Sequence, residues 1–82
     1  MVEAVYVISE KMAAVGTEEQ IYTCYTKAKA EELIEHIIDT DWPAPSLTIK
    51  RDYAGTRALS AEVWREDVLV AVVTAQQIPL MD

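Results

Sequence analysis

One stretch of this chain has a single plausible conformation, and it limits what the rest can be. Residues 27–39 (KAKAEELIEHIID) place Ala30, Leu33, Ile34, Ile37 and Ile38 at i, i+3, i+4, i+7 and i+8. That spacing is one apolar stripe on a 3.6-residue helix. Thr26 precedes the stripe as an N-cap, since its hydroxyl can accept from a first-turn N–H. The segment Asp41-Trp42-Pro43-Ala44-Pro45 cannot continue the helix, because each proline lacks an N–H and restricts the residue before it. A helix with one stripe needs one surface to lie on, and the remaining patterned segments read as strands.

Residues Val2 to Ser9 are rich in β-branched and aromatic types and read as a strand. Apolar residues on both of its faces predict an interior position in a sheet. Gly16-Thr17 marks a turn, and Gln20 to Tyr25 reads as the second strand of a hairpin. A competing reading starts a helix over residues 18–26, because Thr17 to Gln20 spells a T-x-x-Q capping box. Ile21, Tyr25 and Ala28 do not line up with the later stripe, so the strand is preferred. Three more strands follow, Ser46 to Tyr53, Arg57 to Arg65 and Val68 to Ile78, with turns at Ala54-Gly55-Thr56 and Glu66-Asp67. Simple pairing about those turns puts Leu47, Ile49, Leu59, Ala61, Val63, Val70 and Val72 on the core face. It puts Trp64, Leu69, Ala71 and Val73 on the opposite face, among Lys50, Ser60 and Glu62. The expected fold is therefore α+β: a small antiparallel sheet in ββαβββ order with one amphipathic helix on one face. At 82 residues this is a single domain.

At the hairpin-to-helix step, residues 19–35 (EQIYTCYTKAKAEELIE), the chain resembles small phage and prophage accessory proteins. In those a strand hairpin runs through a Ser/Thr-Lys step into a K-A-x-x-x-I-type helix. The resemblance covers the first half of the chain. It implies a ββα unit and a phage origin, and it carries over no functional residues.

Charge narrows the function classes. Fourteen acids against seven bases leave a net charge of −7, which disfavours direct binding to nucleic acid, where Lys and Arg must displace counterions. Lys50, Arg51 and Arg57 are the one basic cluster, too small to offset that balance. The acidity suits a basic partner, or solubility alone. The single cysteine, Cys24, allows no internal disulfide and fits a reducing compartment. No basic leader with a cleavage site opens the chain. Its longest apolar run, Val68 to Val73, is far below the roughly 20 residues of a membrane span. A cytoplasmic protein without membrane contact is expected.

The helix has an unusual charge order. Lys27 and Lys29 stand in its first turn and Asp39 in its last, against the dipole. Glu31, Glu35 and Asp39 stack at i, i+4 and i+8, and each like-charge pair costs roughly 0.2–0.5 kcal/mol. Together with Glu32 and Asp41, residues 31–41 hold five acids and no Lys or Arg. One reading is a solvated face. The other is an acidic strip, Glu31, Glu32, Glu35, Asp39 and Asp41, that docks on a basic surface and imitates nucleic-acid phosphates.

Other constellations are poorer. Glu32, His36 and Asp39 share a side of the helix, but one helix seldom closes a metal site and no second His exists. Cys24 reads as a core thiol. Two glycines cannot build a phosphate cradle, and no nucleophile elbow or dinucleotide fingerprint occurs. No enzyme, cofactor or metal is expected. Trp64, Leu69 and Val73 form a candidate association face for a homodimer, since aromatic anchors dominate interface energy. The leading expectation is a non-enzymatic inhibitor or regulator that docks on a basic, nucleic-acid-binding surface of a larger protein. In its most specific form, suggested by the phage resemblance, it is an anti-defence protein of the anti-CRISPR kind. The alternatives are a homodimeric assembly protein joined through the Trp64 face, and a small metal binder or enzyme.

Overall fold

Thr26 starts the helix as its sequence context predicts. Its backbone is extended (φ −129°, ψ 150°) and its hydroxyl accepts from the Lys29 N–H at 3.1 Å. The helix ends where Trp42 donates its backbone N–H to the Ile38 carbonyl at 2.8 Å and Pro43 follows. In the computed structural model, which describes residues 3–43 and 45–80, the elements are β1 (Glu3–Met12), β2 (Glu18–Cys24), α1 (Lys27–Asp41), β3 (Leu47–Asp52), β4 (Ala58–Arg65) and β5 (Val68–Leu80). Val2 and Ala44, on which parts of the expectations above fell, lie outside the described residues. The strands form one antiparallel sheet in the order β2-β1-β5-β4-β3. The α+β class and the ββαβββ order are as the sequence patterns indicated.

β1, apolar on both faces, lies between β2 and β5. It runs to Met12, three residues past Ser9, and β2 opens at Glu18. Thr17 to Gln20 therefore cap no helix. Gly16 takes a φ of +75° in the turn, and its N–H reaches the Met12 carbonyl at 2.9 Å, a backbone shape glycine adopts without strain. β5 carries Pro79 opposite Ala4 of β1, beyond the last β4 partner, which pairs at Gln76. On that side β5 has no neighbour in the ladder to receive an N–H, so proline is tolerated.

The helix packs on β5, β1 and β2. Ala30, Ile34, Ile37 and Ile38 are buried in a cluster with Tyr6, Ile8, Cys24, Leu59, Ala61, Val73 and Ala75, and Leu33 and Ile49 pack against it. The Tyr6 hydroxyl crosses the core to donate to the Thr56 carbonyl at 2.6 Å, tying the β3–β4 loop to β1.

One register detail reverses part of the expected core. The Glu66-Asp67 turn pairs Arg65 with Val68 and Trp64 with Leu69, but the next pair is Val63 with Ala71. Val70 is an extra residue, a β-bulge, and one inserted residue sends every later side chain to the other face. Ala71, Val73 and Ala75 are thus fully buried under the helix. Val72, expected in the core, pairs with Glu62 on the open face. Val73, expected at the association face, does not belong to it. A second shift sits in β2, where Ile8 faces Tyr22 and Ser9 faces Gln20, leaving Ile21 as the extra residue.

The register is tested by comparing neighbours. Val73→Ala should cost about 2 kcal/mol in urea unfolding, as a buried truncation does. Val72→Ala should stay within about 0.5–1 kcal/mol. Equal costs, or the reverse order, would contradict the bulge.

Candidate functional site

The acidic strip of the helix is less uniform than its sequence. Glu35 faces the β3 edge and is gripped there. Arg51 Nε and Nη2 donate to its two carboxylate oxygens at 2.6 and 2.8 Å, and the Tyr53 hydroxyl adds a third bond at 2.5 Å. The bidentate guanidinium holds the Glu35 carboxyl below its ordinary range. Burial and the adjacent Glu35 carboxylate push the Tyr53 phenol upward. This acid is neutralised inside the fold. Glu32 has a looser partner, Lys29 at 3.5 Å, with both side chains largely in water. Asp39 and Asp41 are exposed and Glu31 half-exposed. The face open to a partner is therefore Glu31, Glu32, Asp39 and Asp41.

His36 is exposed on the same helix, its ring tilted against Tyr22 with centroids 6.4 Å apart. Among the described residues no three His, Cys, Asp or Glu side chains converge as a metal ion requires. Cys24 is buried, with its Sγ 3.6 Å from the Thr26 carbonyl oxygen. No helix of the described residues is long and apolar enough to cross a membrane.

Among the described residues nothing lies across the open face of the sheet, because β1, β2 and β5 are strands of that same sheet. Val5 and Ile78 pair at one end of it, and Thr48 and Trp64 pair near the other. Between them run Ser9, Thr74 and Ser60 in one row and Lys11, Val72, Glu62 and Lys50 in the next. Trp64 is half-buried. Lys50 Nζ stands 4.6 Å from its ring centroid, and its Nε1 donates to Glu62 at 3.3 Å. Such a cation–π contact shields the ring. Trp64 and Leu69 stay together, directly opposed in the ladder, whereas Val73 has gone to the core.

A feature that the sequence reading missed lies at the helix C-terminus. Glu10, on the Tyr6 and Ile8 side of β1, is 8% exposed and accepts from Trp42 Nε1 at 2.8 Å. Burial pushes its pKa up against the help of that indole bond, and the neighbouring Asp41 and Glu19 carboxylates push it the same way. The last helical turn contains no basic residue, so the carbonyl end of the dipole adds negative potential. The signal was available: Glu10 continues the alternation of Tyr6 and Ile8 and places an acid at a core position. Its partner is 32 residues away and was not readable.

Beside this cluster an apolar groove of about 480 Å³ is lined by Met12, Ala13 and Ala14 of the β1–β2 turn, by Trp42, and by Arg65 and Val68 to Val70. The Ala13 N–H bonds the carbonyl of the bulged Val70 at 3.1 Å, joining the two walls. Comparison with protein-family models, curated proteins and solved structures finds no match.

Glu10 and Glu35 should respond oppositely to neutralisation. Glu35 has a lowered folded-state pKa, so its contribution is present above the ordinary carboxylate value of 4.5 and is lost as pH falls through the lower folded value. Glu35→Gln should destabilise by about 0.5–1 kcal/mol at neutral pH, the scale of a partly exposed pair, with the deficit shrinking in acid. Glu10 has a raised pKa, so its favourable contribution exists below 4.5 and is lost as pH rises through the folded value. Glu10→Gln should stabilise at neutral pH, with the gain vanishing in acid. Urea unfolding of both variants across the acid range checks the two signs.

Proposed function

We propose that this chain is a non-enzymatic protein-binding module, an inhibitor or regulator that docks on a basic, nucleic-acid-binding surface of a larger partner. The observation that carries the reading is the scarcity of internal neutralisation. Among the described residues only Glu32 and Glu35 sit in ion pairs, although the chain has 14 acids. Asp39 and Asp41 crowd the negative end of the helix Lys27–Asp41, an arrangement that costs helix stability and is offset when a cationic surface binds, and Glu31 extends the acidic edge toward the other end. An anti-defence role is the specific form of this proposal, and it rests on the resemblance of residues 19–35 to phage accessory proteins.

The test is a Glu31→Lys/Glu32→Lys/Asp39→Lys variant, which spares the Glu35 clamp. Lys at residue 39 suits the helix end, so the variant should fold at least as well as the parent. The parent should retain a basic partner from lysate at low salt, release it as salt approaches about 1 M, and lose it to competing nucleic acid. The variant should retain none. Retention indifferent to both salt and charge reversal would remove the reading.

A second reading, a homodimer through the open sheet face, draws on the bare strands and on Ile78, which is 43% exposed beside Val5. It predicts a dimer in sedimentation equilibrium that Ile78→Glu converts to a monomer. A monomer at all concentrations for both proteins would end it.

A further inference from the structure

The groove at the Trp42 end has a neighbour. Met12 lines it and also lines a second concavity of about 230 Å³ formed with Glu10, Val15, Thr17 and Glu19. One hollow is predominantly apolar and the other holds two carboxylates, with a shared wall. The rim is unusually exposed for such residues: Met12 is 42%, Val15 64% and Val68 62% accessible. Contiguous apolar exposure of this kind marks interaction surfaces. The charged groups that act on Glu10 are the acids Asp41 and Glu19, and the last turn of α1 lacks a base. The β4–β5 turn adds Glu66 and Asp67 next to Val68. Arg65, the one base in the lining, enters from the end of β4.

We infer that these two concavities are a single docking site for a partner segment carrying an apolar side chain next to Arg or Lys. The apolar side chain occupies the groove between Met12, Trp42 and Val68, and the cation meets Glu10, Glu19 and Asp41. The inference rests on the reading of the chain as a binder of basic partners and names the chemistry of the contact. Charge selects this occupant. A second copy would bring another −7 charge and the same acids to this end, which repels. A purely polycationic segment would leave the apolar rim in water and would confront Arg65. Binding also relieves Glu10, whose buried carboxylate gains a cationic neighbour.

The experiment uses the full isotope-labelled chain and three synthetic peptides, one alternating Leu and Arg, one Arg and Ser, one Leu and Ser. The indole N–H of Trp42, bonded to Glu10, reports on the site, and that of Trp64 serves as the internal control. The Leu/Arg peptide should shift Trp42 and leave Trp64 in place, and the other two should bind about tenfold more weakly or less. Met12→Ser/Val68→Ser, at exposed positions, should weaken the Leu/Arg peptide about tenfold, and Glu19→Gln should flatten its salt dependence. Shifts confined to Glu31, Glu32 and Asp39 overturn the docking site and leave the basic-partner reading standing. Equal binding of the Leu/Ser peptide overturns the charge requirement. Concentration-dependent shifts at Met12 and Val68 without peptide identify a second copy as the occupant and overturn the assignment. Absence of salt-dependent binding of any Arg peptide overturns both the site and the reading beneath it.

Discussion

Everything in this molecule depends on one helix lying on one face of a sheet. Among the described residues Ala30, Ile34, Ile37 and Ile38 supply the one helical apolar stripe that buries that face, and they meet Tyr6, Ile8, Leu59, Ala61, Val73 and Ala75 there. Each fully buried aliphatic side chain contributes roughly 1.5–3 kcal/mol, so the stripe fixes which strand residues must point inward. The Val70 bulge is a consequence. With a two-residue turn at Glu66-Asp67 and no extra residue, the small side chains Ala71 and Ala75 would face water and Val70 and Val72 would crowd the helix. The inserted residue brings Ala71, Val73 and Ala75 under α1, an alternation of small and larger side chains that accommodates close approach of the helix.

The same constraint determines where charge can go. The helix edge nearest β3 meets Arg51 and Tyr53, and there an acid is useful: Glu35 takes three hydrogen bonds and locks the orientation of α1 on the sheet. At the C-terminal end the last helical turn holds no base, and among the described residues Glu10, Asp39 and Asp41 sit in no ion pair. Trp42 supplies a neutral donor to Glu10, while Asp41 and Glu19 raise the electrostatic cost. A sequence optimised only for stability would place Lys in that last turn. The two ends of the acidic strip thus have different physical status, one structural and one unsatisfied.

Period and punctuation were legible in the sequence. The helix stripe, the Thr26 cap, the interior position of β1 and the ββαβββ order of elements along the chain follow from local patterns. What was not legible was of two kinds: a register shift inside an apolar hairpin, and contacts between residues far apart in the chain. A bulge leaves no mark in the alternation of a run as uniformly apolar as Val68 to Val73, so simple pairing placed Val72 and Val73 on the wrong faces. The Glu35–Arg51 and Glu10–Trp42 contacts span 16 and 32 residues, and nothing in either neighbourhood names its partner. Of the acids singled out, Glu31, Glu32, Asp39 and Asp41 remain available, and Trp64 and Leu69 remain opposed.

Binding energy would reside where charge and apolar surface meet. Local sequence patterns put the acidic strip on the helix and the apolar patch on the sheet, two separate surfaces. In the folded chain the C-terminal end of the strip, Asp41 with Glu10, comes beside an apolar groove whose walls are Met12, Trp42 and Val68. Apolar contact and charge are most effective side by side, because the apolar part excludes water and strengthens the attraction across the carboxylates. An acidic face alone gives steering and salt-sensitive, weak association. An apolar groove alone gives affinity without selection among partners. Their junction at Met12 sets an apolar groove beside a carboxylate-lined hollow, a pairing on which the proposed contact depends and which the exposed middle of the helix, around Glu31 and Glu32, lacks.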